Sequence, residues 1–300
     1  MDAQINKSGV IAIVGRPNVG KSTLMNRILG EKLSITSRKP QTTRHRLLGI
    51  KTVGGSQFTY VDTPGIHSNA ETAMNRYLNR AAAGSMDNVD VVVFVVDGGK
   101  WSEEDDAVVE LLKQQHCPLV AVVNKIDQIG DKEKLLPLIE QLSKKASFDA
   151  IVPLSALKGK GVDQLEDRLE SLLPEGVHLY DEDQITDRSE RFLVAERIRE
   201  KLTRQLGQEL PYALTVEIEQ FKESGKLTDI SAVIWVERSG QKGIVIGKKG
   251  ARLRTVGKEA REELEELLGR KIFLQLWVKV RAGWSDDDRA LHSLGYREDG

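Results

Sequence analysis

The chain has 300 residues, 40% hydrophobic and 30% charged, and its 44 Lys and Arg balance 45 Asp and Glu to a net charge of −1. That composition suits a globular protein of two domains, and total charge alone gives no hint of nucleic acid. The longest apolar run, 91–96, is strand-sized, Met1-Asp2-Ala3-Gln4 starts no secretory pattern, and a lone Cys117 fits a reducing cytoplasm rather than a disulfide scaffold.

The first apolar run, 10–14, predicts a strand, and a helix is predicted over 21–29. Between them lies Gly15-Arg16-Pro17-Asn18-Val19-Gly20-Lys21-Ser22, followed by Thr23. In this strand–turn–helix setting G-x-x-x-x-G-K-S is a phosphate loop, whose backbone N–H groups and helix N-terminus form a concave anion site. Lys21 reaches the β- and γ-phosphates and the Ser22 hydroxyl ligates Mg²⁺. The polar stretch 34–45 reads as a switch segment that orders around the metal and γ-phosphate. Thr43, in preference to Thr42, would complete the metal shell.

Strands follow over 46–53 and 58–62, the second ending in Asp62-Thr63-Pro64-Gly65. One strand after a phosphate loop, Asp62 holds Mg²⁺ through water and the Gly65 N–H meets the γ-phosphate. A helix over 71–85, a strand over 90–96, a helix over 103–115 and a strand over 119–123 lead to Asn124-Lys125-Ile126-Asp127. The Asp127 carboxylate can accept both the N1–H and the exocyclic amine of guanine. Adenine would leave it desolvated and unpaired. Lys125 lays its stem along the base, and Asn124 ties this loop to the phosphate loop. A helix over 132–146 and a strand over 151–154 place Ser155-Ala156 where a backbone N–H can meet guanine O6. A helix over 162–172 closes the run. Val/Ile-rich strands alternating with helices predict an α/β domain over 1–175, its mostly parallel sheet covered on both faces and its ligand beyond the strands' carboxyl ends.

An acidic, aperiodic stretch, 176–190, reads as a linker. Beyond it a helix over 190–206, strands over 214–221 and 230–236, a helix over 251–268 and a strand over 271–280 predict an α+β domain over 191–284, with a tail over 285–300. Residues 1–187 carry 22 basic and 26 acidic side chains and residues 188–300 carry 22 and 19, a modest asymmetry. From Arg238 to Lys258, however, seven basic residues meet no acidic one. Within this patch stands Ile246-Gly247-Lys248-Lys249-Gly250. A G-x-x-G turn before a helix lets a nucleic-acid backbone approach closely, with Lys248, Lys249, Arg252 and Arg254 supplying charge and Ile246 a floor for splayed single-stranded bases. In the tail, Asp286-Asp287-Asp288 reads as a solvated helix start rather than a metal site.

The set Gly15–Ser22, Thr43, Asp62–Gly65, Asn124–Asp127 and Ser155–Ala156 resembles the translation-factor-related GTPases of the TrmE-Era-EngA type. Ras-like proteins carry a water-orienting glutamine where this chain has Ile66, which has no hydrogen-bonding group, so slow unaided hydrolysis is expected. In related GTPases an asparagine at the place of Asn18 helps hold K⁺ beside the phosphates, which makes Lys21, Thr43 and Asn18 the candidate catalytic set. The second half resembles a type-2 KH domain. Together the halves resemble the Era family of bacterial ribosome-assembly GTPases along nearly the whole chain, through Arg191-Phe192, Leu210-Pro211-Tyr212, residues 245–250, Leu276-Trp277-Val278-Lys279-Val280 and Gly283-Trp284. The resemblance implies a cytoplasmic monomer that binds GTP and GDP and the single-stranded 3′ end of 16S ribosomal RNA. It also implies a role in 30S subunit assembly and peripheral inner-membrane contact. A GTPase accessory to an RNA-modifying enzyme is the competing class; it predicts a helical partner-binding domain instead.

Overall fold

Residues 6–37, 39, 41–65, 72–130, 133, 135–207 and 213–296 are described by the computed structural model. Two units emerge. The first comprises Met1–Thr36, Thr43–Ala70 and Leu78–Asp187; the second comprises Ser37–Thr42, Glu71–Tyr77 and Arg188–Gly300.

In the first unit β1 (Lys7–Val14), β3 (Ser56–Asp62), β4 (Val91–Asp97), β5 (Leu119–Asn124) and β6 (Ala150–Pro153) are parallel, and β2 (Leu47–Val53) pairs antiparallel with β3. The order is β2-β3-β1-β4-β5-β6, so the strand order reverses at β1, where open α/β sheets bind ligands. Strands β4 and β5 are buried along almost their whole length, as expected of strands covered on both faces. The helices are α1 (Lys21–Leu29), α3 (Glu103–Leu112), α4 (Leu135–Lys145) and α5 (Val162–Leu172), while α2 (Ala73–Gly84) is divided, its residues up to Tyr77 belonging to the second unit. The start of one of them shows a local cause. Helix α3, for example, starts at a capping box in which Asp105 Oδ2 accepts from the Ser102 N–H and hydroxyl at 2.9 and 3.1 Å. Cys117 is half-buried against the β4–β5 core, and burial pushes its thiol up.

In the second unit α6 (Glu190–Gln205) and α8 (Ala251–Leu268) cover one face of a three-stranded sheet ordered β7 (Leu214–Ser224), β8 (Leu227–Val236), β9 (Lys271–Val280). Strands β7 and β8 are antiparallel, while β8 and β9 are parallel and joined by a helical crossover. Ile272, Leu274, Leu276 and Val278 alternate toward the core, whereas Val280, last residue of this edge strand, is 40% exposed. The crossover holds one helix that periodicity does not predict, α7 (Ser239–Ile246). Its two glycines and β-branched residues are poor helix formers. Gln241 Oε1 compensates by accepting from the Glu237 and Arg238 N–H groups at 2.9 Å each, and Val245 is fully buried.

The segment beyond residue 284 packs into this unit. Trp284, Ala290, Leu291 and Tyr296 are buried, and Asp287 caps α9 (Asp288–Ser293) through the Arg289 and Ala290 N–H groups. The expected helix start is therefore present, and the acidic cluster serves structure. Asp286 Oδ1 accepts from the Ala73 N–H at 2.8 Å, and Tyr296 meets Tyr77 edge-on and shares a 2.9 Å hydrogen bond with Thr215. Lys39 and Thr42 are likewise fastened to α6. Lys39 donates to the carbonyls of Thr203, Leu206 and Gly207, at the negative end of that helix, and Arg199 donates to the Thr42 carbonyl at 2.5 Å. Trp284→Ala is expected to destabilise the second unit by about 3–5 kcal/mol, seen as an earlier urea midpoint. Leu227→Ala, at a 45% exposed position, should leave that midpoint within about 0.5 kcal/mol of the parent.

Candidate functional site

The phosphate loop joins β1 to α1 and carries Asn18 at φ 63° and Gly20 at φ 104°. Asparagine tolerates the left-handed region, and Gly20 is required by space as well. A Cβ there would lie 2.4 Å from Asn124 Nδ2. Lys21 is buried, its ammonium donating to the carbonyls of Gly15 and Arg16 at 2.8 and 3.0 Å. Burial brings its pKa down from 10.5 to about 8, with the charge of Asp62 opposing the shift.

Beside Lys21, three hydroxyls converge on Asp62 at the end of β3. Ser22 Oγ donates to Asp62 Oδ2 at 2.7 Å, Ser34 Oγ at 2.8 Å and Thr43 Oγ1 at 3.5 Å, and the Ser22 and Thr43 hydroxyls are 2.8 Å apart. Burial raises the carboxyl's pKa against the pull of these hydroxyls and of Lys21. Asp62 Oδ1 is buried with no partner among the described residues. A buried carboxylate with one oxygen among hard hydroxyl ligands and the other unsatisfied fits a hydrated Mg²⁺. Sequence reasoning places Ser22, Thr43 and Asp62 here but misses Ser34. Ser34 is held by Asn26 of α1, whose Oδ1 accepts from the Leu33 and Ser34 N–H groups at 2.9 and 2.8 Å. Thr63 turns inward to the Ile13 carbonyl at 2.9 Å, and Gly65 runs so close to Pro17 that a Cβ would meet its ring at 2.7 Å. Ile66 lies outside the described residues, as do Leu210, Pro211 and Tyr212.

The third loop follows β5. Asn124 is buried and bonds three ways: Nδ2 donates to the Val19 carbonyl at 2.8 Å, and Oδ1 accepts from the N–H groups of Lys125 and Ala156 at 2.7 and 3.0 Å. Of the two backbone N–H groups from which one is expected at guanine O6, that of Ala156 is engaged by Asn124 and that of Ser155 by the Lys160 carbonyl at 2.9 Å. Lys125 spans the loops, donating to the Asn18 carbonyl at 2.6 Å and to Asp97 Oδ2 at 2.7 Å. Ile126 and Asp127 begin a short 3₁₀ turn, and Ser155 Oγ donates to Asp127 Oδ1 at 2.5 Å, orienting the carboxylate. Gly15–Thr23, Thr43, Asp62–Gly65, Asn124–Asp127 and Ser155–Ala156 thus form one connected set in the first unit.

The second unit presents the glycine turn. Gly247 has φ 73° and ψ 174°, a conformation open essentially to glycine alone, and a Cβ there would lie 2.8 Å from Arg252 Cβ. Lys248, Lys249 and Arg254 are exposed, whereas Arg252 braces the turn by donating to the Ile244 carbonyl. Ile246 packs against the core and Gly250 precedes α8. The cationic tip and the helix N-terminus suit a polyanion.

The pattern of the 50S ribosome-binding GTPase family matches residues 10–125, and that of the KH domain matches residues 209–285. The protein called GTPase Era from Marinobacter nauticus is 59% identical over 97% of this chain and 95% of its own length. That of Ectopseudomonas mendocina is 56% identical over 98% and 99%. A crystal structure of Era in complex with MgGDPNP and nucleotides 1506–1542 of 16S ribosomal RNA superposes with a TM-score of 0.95 at 40% identity, covering 98% of this chain and 100% of that one. A point variant of Aquifex aeolicus Era bound to GDP·AlF₄⁻ gives 0.94 at 40% identity, covering 97% and 100%.

Phosphate oxygens brought against Lys21 would favour its charged form and raise its pKa. Above pH of about 8.5, where the free side chain is mostly neutral, GTP binding is therefore expected to take up close to one proton. Near pH 7 Lys21 is already charged and contributes little. Calorimetry in buffers of different ionisation enthalpy measures the uptake, and Lys21→Met should abolish it.

Proposed function

The chain belongs to the Era family of GTPases, and from that membership we propose a cytoplasmic, GTP-hydrolysing switch that binds the single-stranded 3′ end of 16S ribosomal RNA and assists 30S subunit assembly. The observation that carries the RNA half is the exposed Lys248–Lys249 tip between Gly247 and Gly250, on the same chain as a connected nucleotide site. A strand-rich second unit with this turn does not favour a GTPase accessory to an RNA-modifying enzyme. The working unit in this reading is the monomer. Any membrane contact is peripheral, since no helix among the described residues is long and apolar enough to cross a membrane.

In this reading Asp127, already oriented by Ser155, accepts the guanine N1–H and amine, while the Lys125 stem lines the base. Phosphate-loop N–H groups and Lys21 receive the phosphates. Mg²⁺ held by the Ser22 and Thr43 hydroxyls, and through water by Asp62, would neutralise charge on the β- and γ-phosphates. Ile66 offers nothing to orient the attacking water, so turnover is slow. Asn18, exposed on the phosphate loop, would help hold K⁺, whose charge would substitute for an arginine's. In this reading nucleotide state and RNA affinity are linked, each changing the other by the same factor.

Replacing Lys248 and Lys249 together by Asp is expected to lower affinity for a 16S 3′-end oligonucleotide at least about 100-fold, with GTP affinity unchanged; filter binding in GTP and GDP reads both. Potassium should raise the GTPase rate above that in matched sodium buffer, and Asn18→Ala should erase the difference.

A further inference from the structure

Asp97 belongs to none of the nucleotide motifs, yet it closes a chain of contacts through the site. It is the last residue of β4, paired in register with Asn124 at the end of β5. One of its carboxylate oxygens accepts from Lys125 Nζ at 2.7 Å and the other from the Gly99 N–H at 2.9 Å, so its own orientation is fixed. The same Lys125 ammonium donates to the Asn18 carbonyl. The β4–α3 loop grips the phosphate loop a second time: Arg16 donates to the Lys100 carbonyl and to Asp105 Oδ2, each at 2.8 Å. The Arg16 carbonyl is in turn one of the two that hold Lys21.

We propose that Asp97 is a positioning residue for the nucleotide: by pairing with Lys125 it fixes the lysine stem that lines the base and, through the Asn18 carbonyl, the phosphate loop beside it. A free lysine stem has four rotatable bonds, and ordering it against a base on binding carries an entropic penalty. A carboxylate that already holds the ammonium removes most of that penalty before the nucleotide arrives. The Asn18 carbonyl alone is a neutral acceptor and holds the ammonium less firmly. Asp97 touches neither base nor phosphate in this account and acts through Lys125. The inference rests on the guanine-nucleotide reading of the site.

The test uses the full chain loaded with a fluorescent GDP analogue and chased with unlabelled GDP. Asp97→Asn should release the analogue about five- to tenfold faster and raise KM for GTP by a similar factor with kcat little changed. Asp97→Glu, which keeps the carboxylate, should recover most of the slow release. In a Lys125→Met background the further change Asp97→Asn should have no added effect, because the partner through which it acts is gone. An unchanged release rate in Asp97→Asn, equal release from Asn and Glu variants, or additive effects with Lys125→Met would each overturn the proposal. If the parent chain itself fails to retain the analogue, the nucleotide reading falls, and the inference with it.

Discussion

One buried side-chain amide holds the nucleotide site together. Asn124 satisfies the Val19 carbonyl, its neighbour's N–H and the Ala156 N–H at once, so the phosphate loop, the base-recognition loop and the loop after β6 cannot move independently. In a buried setting each unmade bond would leave a polar group unpaired, which makes the three-way arrangement cooperative. Gly20 lacks a side chain because this amide fills the space. The parallel sheet delivers the three loops to a common edge, and Asn124 converts that proximity into geometry.

Around Asp62 burial and charge work against each other. A carboxylate sunk among three hydroxyls, with one oxygen unsatisfied, is a poor arrangement for a protein alone and a good one for holding a cation's water. Lys21 shows the complementary tension, a cation whose proton is loosened by burial. In each the fold holds a charge against its burial, as functional sites commonly do.

Where signals are local, the sequence states the structure closely. Helices α1, α5 and α8 and strand β9 begin and end where periodicity and glycine punctuation place them, and the nucleotide motifs converge as their spacing implies. Helix α7 escaped because its glycine-rich composition argues against a helix and its stability comes from Gln241 and Val245 in tertiary context. Ser34, Asn26, Asp97 and Asp105 escaped for another reason. A lone polar residue in a loop or helix looks solvated until the fold supplies a partner, and Asp97 meets Lys125 only because β4 and β5 pair in register. The segment after Trp284 looked like a tail because its apolar residues are too few and too scattered to show a period.

The parallel pairing of β8 with β9 has a consequence for how the protein comes into being. The glycine turn sits in the crossover between those strands, and a parallel pair cannot zip from a hairpin; the whole crossover must be made before β9 can dock. On a chain emerging from a ribosome in order, the first unit has all its strands long before this happens. The surface over Gly247–Gly250 therefore gains its full support last, after every strand of the first unit has been made.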